Sequence, residues 1–211
     1  MEALGQRIWR LRREHLAGPV VETFGAPGAP EGEPMLVRDV DLSRDCDAVL
    51  RVNREFSTET VFDVRYVDGA FVLRETPRRV TREYPFDFAS PGRDHAVVAV
   101  VDRAVVGFLA TSYQRWNRRL VVEEVFVDSV RRRQGVARAM VDRVLARAGE
   151  VGATHLWLET SNVNVPAIRA YQRLGFEFCV LSLYENTPAR GEIALHLPRA
   201  VGEPPPTRCR F

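Results

Sequence analysis

Apolar and polar positions alternate over several short stretches of the chain, and between them the apolar spacing lengthens to three and four. Leu4, Ile8 and Leu11 recur at helical spacing, so residues 3–16 predict a short basic amphipathic helix. Residues 18–34 are rich in glycine, proline and alanine and read as a linker. Residues 35–40 predict a first strand, and Ser43 is placed to cap a helix reaching about residue 53. Residues 60–67 and 70–75 flank Asp68-Gly69, a tight-hairpin signature, whereas 78–94 are polar and irregular. A second hairpin is predicted from 96–101 and 105–113 around Asp102-Arg103. Residues 119–127 read as a central strand, 134–150 as a helix with a Val/Met/Leu stripe, and 155–159 as a parallel strand after it. A helix over 164–174 and strands at 176–184 and 191–197 follow. The end of the chain, with Pro204-Pro205-Pro206, reads as disordered. The pattern predicts a mixed α/β sheet with flanking helices in one domain over 34–198. An extension and linker (1–33) precede it and a flexible tail (199–211) follows.

Composition narrows the function classes. The 211 residues carry a net charge of +2, so no global charge drives the chain toward nucleic acid or membrane. Arg131 to Arg133 lack the basic–aromatic platform of a nucleic-acid binder. No apolar run is long enough to span a bilayer, and no signal-peptide core follows the basic N-terminus. Cys46, Cys179 and Cys209 have no metal-like spacing, and the four histidines are scattered, so no metal site is expected. An odd count of unpatterned cysteines predicts reduced thiols in a cytoplasmic protein. All 30 basic residues are arginine, so no lysine can be catalytic.

The candidate chemistry lies after the central strand. Val121 to Phe126 runs into a basic turn, Arg132-Arg133-Gln134-Gly135-Val136-Ala137-Arg138, and then into a helix. The spacing Arg-x-x-Gly-x-Gly/Ala sets a row of backbone N–H groups at a helix N-terminus, which attracts phosphate. Gly135 lets a ligand approach the backbone, and Ala137 adds little bulk. A P-loop is excluded by the missing lysine, and the Gly-x-Gly-x-x-Gly of a dinucleotide turn is absent. Either a solvated basic turn or a polyphosphate site fits this segment alone.

A second segment, Asn164-Val-Pro-Ala167-Ile-Arg-Ala-Tyr171-Gln-Arg-Leu174-Gly175-Phe176, follows in order. Together the two resemble consecutive motifs of the GNAT superfamily of acetyl-CoA-dependent acyltransferases, over about residues 34–198. The resemblance implies a mostly antiparallel sheet that splays at its centre to admit acetyl-CoA. It places the pyrophosphate on the amides of Arg132 to Ala137, with Arg138 nearby. The pantetheine arm would lie beside the backbone of Val125, Phe126 and Val127, with an N–H near Val127 as oxyanion donor. Tyr171 matches the tyrosine that protonates the departing thiolate, and Asn164 would touch the cofactor arm or cap its helix. Members are often homodimers.

More narrowly, Arg115-Trp116-Asn117-Arg118, Leu158 to Ala167, Leu183-Tyr184 and Glu192 to Leu195 resemble the streptothricin acetyltransferase group, whose acceptor is a cationic antibiotic. The sequence departs from that group at His196-Leu197 and in its N-terminal extension. A protein or peptide amine acetyltransferase and a non-catalytic acetyl-CoA sensor are the competing functions.

An alkyl ammonium titrates near ~10.4, so transfer to an amine at neutral pH needs a base. Glu123 and Glu124 interrupt an apolar strand, where carboxylates are costly to bury. Strand alternation predicts that they point to opposite faces. Glu123, sharing a face with Val125 and Val127, is then expected to be the base, and Glu124 the anchor of a small cationic amine.

Overall fold

A computed structural model describes residues 22–24, 35–88, 90, 92–184 and 191–202. The N-terminal helix and the tail beyond 202 expected from sequence lie outside these residues. The strands are β1 (Glu22–Phe24), β2 (Met35–Asp39), β3 (Phe56–Val67), β4 (Ala70–Arg82), β5 (His95–Val101), β6 (Ala104–Gln114), β7 (Arg119–Val127), β8 (His155–Ser161), β9 (Val180–Leu183) and β10 (Ile193–Ala200). The helices are α1 (Leu42–Leu50), α2 (Val136–Glu150) and α3 (Val165–Arg173).

Eight strands form one sheet in the order β1-β2-β5-β6-β7-β8-β10-β9, antiparallel except for β7 against β8. That parallel pair needs a crossover, and α2 supplies it. Helices cover both faces. On one side Val136, Met140 and Val144 of α2 and Ile168 of α3 pack with Val97, Leu109, Leu156 and Leu158. On the other, Val49 of α1 packs on Val98, Phe108 and Ala110 beneath Phe86 and Phe88. A Cβ at Gly107 would come within 2.9 Å of Met140 Cε and 3.1 Å of Val136 Cγ1. Glycine there lets the start of α2 seat directly on β6, which fixes the turn preceding α2.

Several boundaries differ from expectation for local reasons. Asp41, not Ser43, caps α1: its carboxylate accepts from the Ser43 N–H at 3.1 Å. Both hairpin turns form as expected, with positive φ at Asp68, Gly69, Asp102 and Arg103. The first hairpin is much longer than its sequence suggests, because β4 continues through Pro77 to Arg82. A two-stranded ribbon has open edges, so the proline costs no interior ladder bond. Within the stretch read as a linker, Glu22–Phe24 pairs antiparallel with β2. At the far end β10 continues to Ala200, past the expected domain edge.

The β3–β4 ribbon is a separate sheet, joined to the rest of the fold beside α3 and at Glu192, which Arg82 of β4 approaches at 3.4 Å. Buried Asn162 donates its amide to Phe62 O at 2.6 Å and accepts from the Ile193 N–H at 2.8 Å. Arg169 of α3 adds an ion pair in which one guanidinium nitrogen donates to both Glu75 oxygens, at 2.7 and 2.6 Å.

Candidate active site

The site forms where β7 and β8 separate. They pair from Arg119–Val122 against His155–Leu158, and their pairing stops there. Residues 123–127 keep the β6-facing edge paired apart from the bulge described next, and leave the other edge facing an open wedge. Backbone groups on such an edge still need partners, and an extended amide-bearing ligand can supply them. This is the expected splay, at the expected strand.

At the mouth of the wedge β7 carries a β-bulge. Val122 pairs with Thr111 and Glu124 with Ala110, so Glu123 is an extra residue. Ala110 belongs to the apolar cluster under α1, which puts Glu124 on that face. Glu123 accepts a hydrogen bond from Ser112 Oγ, two residues further along β6 and on the same face. Both carboxylates therefore point the same way, whereas Val125 and Val127 pack on the α2–α3 side. This corrects the expectation of opposite faces, and the bulge is its physical reason. Local sequence does not show it: Leu120-Val121-Val122 and Val125-Phe126-Val127 are apolar throughout, so the switch in which positions pack on the core appears only in the structure.

The glutamates differ in environment. Glu123 is exposed. Glu124 is half-buried, and burial pushes its carboxyl up while the Arg93 guanidinium, 3.0 Å away, opposes the shift. Both line a cavity of about 440 Å³ that occupies the wedge. Opposite them, Glu159 and Ser161 project from β8. Tyr84, following β4, and Tyr184, following β9, complete that wall. Tyr84 donates to Glu192 at 3.0 Å, and Ser161 Oγ donates to the same buried carboxylate. Burial, reinforced by Glu192, pushes the Tyr84 hydroxyl up to about 12. Burial and then Glu159 push Tyr184 up as well. Sequence reading missed Tyr84 and Arg93, which meet the site only through long-range pairing. Tyr184 and Glu192 were visible only as parts of longer segments, whereas Glu159 stands in the sequence as a possible anchor for an acceptor ammonium.

Helix α3 brings two expected residues to the cavity. Asn164 caps the helix, accepting from the Ala167 N–H at 3.2 Å, and its amide group also lines the cavity. Tyr171 lines it too, with its ring 6.1 Å from that of Phe176. Its hydroxyl has no hydrogen-bond partner among the described residues. Burial, then the nearby charge of Glu124, push it up, so it stays protonated throughout the ordinary working range.

The basic turn enters α2 through Gly135, whose φ is +85° and where a Cβ would meet nothing within 4 Å. The helix ladder begins with Ala139 N–H to Gly135 O, so the N–H groups of Val136, Ala137 and Arg138 have no partner within the helix. The turn fits a pyrophosphate on these grounds: unpaired donors, open space and a helix N-terminus.

Its arginines do not act alike. Arg132 points into the protein, donating to Val127 O at 3.1 Å and Glu55 O at 2.6 Å. Burial lowers it, so this side chain locks the turn to the α1–β3 loop, leaving its backbone for a ligand. Arg138 donates to Arg173 O at 3.4 Å, Gln134 to Val130 O at 3.0 Å, and Arg133 is exposed at a φ of 62°. Phe126 turns its ring into the aromatic cluster, 5.3 Å from Phe108, so only its backbone is offered to the wedge.

A larger cavity of about 560 Å³ lies away from these residues, between α1 and the β5–β6 hairpin. Its Arg38 and Arg44 are already paired with Asp45, and it contains none of the wedge groups. Among the described residues no three His, Cys, Asp or Glu side chains gather as a metal site, and no helix is long and apolar enough to cross a membrane.

The profile of the acetyltransferase (GNAT) family matches residues 62–176. A streptothricin acetyltransferase of Streptomyces lavendulae is 39% identical over 167 residues, covering 72% of this chain and 88% of that protein. The crystal structure of a nourseothricin acetyltransferase aligns at a TM-score of 0.72 and 39% identity, covering 80% of this chain and 99% of that one. A Bacillus anthracis str. Ames structure in complex with acetyl coenzyme A shares the fold at a TM-score of 0.66 and 18% identity, covering 79% and 98%. The chain belongs to the acetyltransferase (GNAT) family and is an acetyl-CoA-dependent N-acetyltransferase.

Proposed function

We propose that the acceptor is an amine of a small cationic molecule, of the streptothricin type. The observation that carries this reading is the charge of the wedge. Glu123, Glu124 and Glu159 line it and, among the described residues, no arginine does, in a chain with 30 arginines. A cavity of one sign concentrates ligands of the other. The names of the relatives, streptothricin and nourseothricin acetyltransferases, agree with that chemistry.

Bound acetyl-CoA supplies an acetyl thioester, an electrophile with a sulfur leaving group. The N–H groups of 136–138 hold its pyrophosphate, the free edge of 125–127 and the Asn164 amide hold its arm, and the Arg132 side chain keeps the turn in place. Glu124 takes the proton of the acceptor ammonium. Its half-buried carboxyl, raised by burial, is better matched to that task than an exposed one. Glu123 anchors the acceptor's positive charge. This reverses the roles expected from alternation. Tyr171 keeps a proton at its hydroxyl for the departing sulfur.

Initial rates with a streptothricin-type antibiotic, a simple polyamine and a peptide bearing a free α-amine test the acceptor class. The antibiotic is expected to give the highest kcat/KM, and preference for the peptide would overturn the reading. With the best acceptor, Glu123→Gln should raise the acceptor KM about 10-fold and leave kcat and the acetyl-CoA KM unchanged, as for lost uniform binding. A fall in kcat at constant KM would return the proton-transfer role to Glu123.

A further inference from the structure

We propose that Arg93 is a positioning residue for proton transfer, fixing the Glu124 carboxylate toward the wedge and holding it in the ionised, proton-accepting form. This rests on the reading of Glu124 as base.

Arg93 lies in the segment between the ribbon and β5 and does not line the cavity. Its side chain is 4% exposed, so it cannot bind an acceptor from solvent. Three contacts fix the guanidinium. One nitrogen donates to Asp87 O at 2.5 Å, another donates to Glu124 Oε1 at 3.0 Å, and the group sits 5.0 Å over the Phe86 ring. Phe86 itself packs edge-on against Phe108 and Phe126, which neighbour Glu124's partner Ala110. The next residue, Asp94, is pinned to β6 through Thr111 O at 2.8 Å and the Tyr113 N–H at 2.7 Å. The arginine is thus held from every side before it meets the glutamate.

A buried cation so restrained is costly unless a carboxylate answers it. Glu124 answers with one oxygen, Oε1, so the carboxylate can still present its other oxygen to the wedge. The other charges around Glu124 do not replace Arg93. Glu123 is adjacent and of like sign. Arg54, from the α1–β3 loop, acts on Glu124 in the same direction but most weakly, and it is paired with Glu83 at 3.1 Å. Tyr171, from α3, is neutral. Glu159, Tyr84 and Tyr184, across the cavity, bring no positive charge. Burial alone would protonate Glu124 at a higher pH, and Arg93 opposes this.

The sign of the test follows. A base works above its pKa, and removing the cation raises that pKa. In Arg93→Met the acid limb of the kcat–pH profile should move up by about one pH unit or more, as expected for a carboxylate losing an adjacent arginine. The kcat lost at neutral pH should return as pH rises, with the acetyl-CoA KM unchanged. Arg93→Lys keeps the charge and should keep the limb near its wild-type position; if Arg93→Met does not fold, Arg93→Gln replaces it against Arg93→Lys. In a Glu124→Gln background the Arg93 substitution should cost little further rate.

An unmoved limb, or losses that simply multiply in the double variant, would overturn the inference and leave Arg93 a packing residue. Wild-type rates measured first separate the two levels. No acetylation of any amine would sink the proposed function itself, whereas an active wild type with an unmoved limb would sink only the role of Arg93.

Discussion

Gly135→Asp should bind acetyl-CoA at least about 10²-fold more weakly, roughly 3 kcal/mol, while still folding cooperatively. The position is the N-cap of α2, and the N–H groups it precedes are the proposed pyrophosphate donors. Aspartate is a good N-cap, so its carboxylate would take those donors and repel the phosphates at the same time. The φ of +85° costs a non-glycine residue of order 1–3 kcal/mol, but the space around the site is empty and aspartate tolerates left-handed backbone better than most. Gly135→Ala carries the same backbone strain without the charge, and should lose far less affinity. Calorimetry with acetyl-CoA on the two variants separates strain from competition. Equal losses would assign the effect to backbone distortion, and full affinity in Gly135→Asp would remove the pyrophosphate from this turn.

Tyr171→Phe should lower kcat by about 10²-fold with acetyl-CoA affinity intact. The substitution removes one hydroxyl that has no hydrogen-bond partner among the described residues, and keeps the ring that meets Phe176. No stability should be lost, since no internal bond is broken. Steady-state rates together with thermal melting give the answer. Normal turnover would mean that solvent protonates the sulfur, and Tyr171 would be only a wall of the wedge.

Local physics made much of this architecture legible in sequence. Asp68-Gly69 and Asp102-Arg103 announced turns because few residues accept positive φ, and both turns formed. The run from Val121 to Ala137 announced strand, turn and helix, and the free N–H row follows from helix geometry wherever such a helix starts. The rest depended on non-local contacts. Strict alternation failed at Glu123 because a bulge is decided by pairing with β6, and the residues flanking the two glutamates are apolar without alternation, so nothing local marked it. Residues 78–82 looked irregular because they are polar, yet β4 runs through Pro77 and on to Arg82, since an open-edged ribbon accepts the proline. Arg132 fitted a phosphate ligand by spacing, yet its guanidinium is spent on Glu55 O, a partner 77 residues away. Arg93 and Tyr84 carry no local mark. Each matters only because the 83–94 segment and the end of β10 are brought to the same end of the sheet.

The account turns on direct transfer of acetyl from acetyl-CoA to the amine of a cationic acceptor inside this wedge. A single-turnover reaction of the protein with acetyl-CoA and a streptothricin-type antibiotic, following free thiol and the masses of antibiotic and protein together, tests it most directly. The account predicts one thiol released for each singly acetylated antibiotic, with the protein's mass unchanged throughout. Thiol release with the acetyl group retained on the protein, or an antibiotic left unmodified while acetyl-CoA is bound, would contradict it.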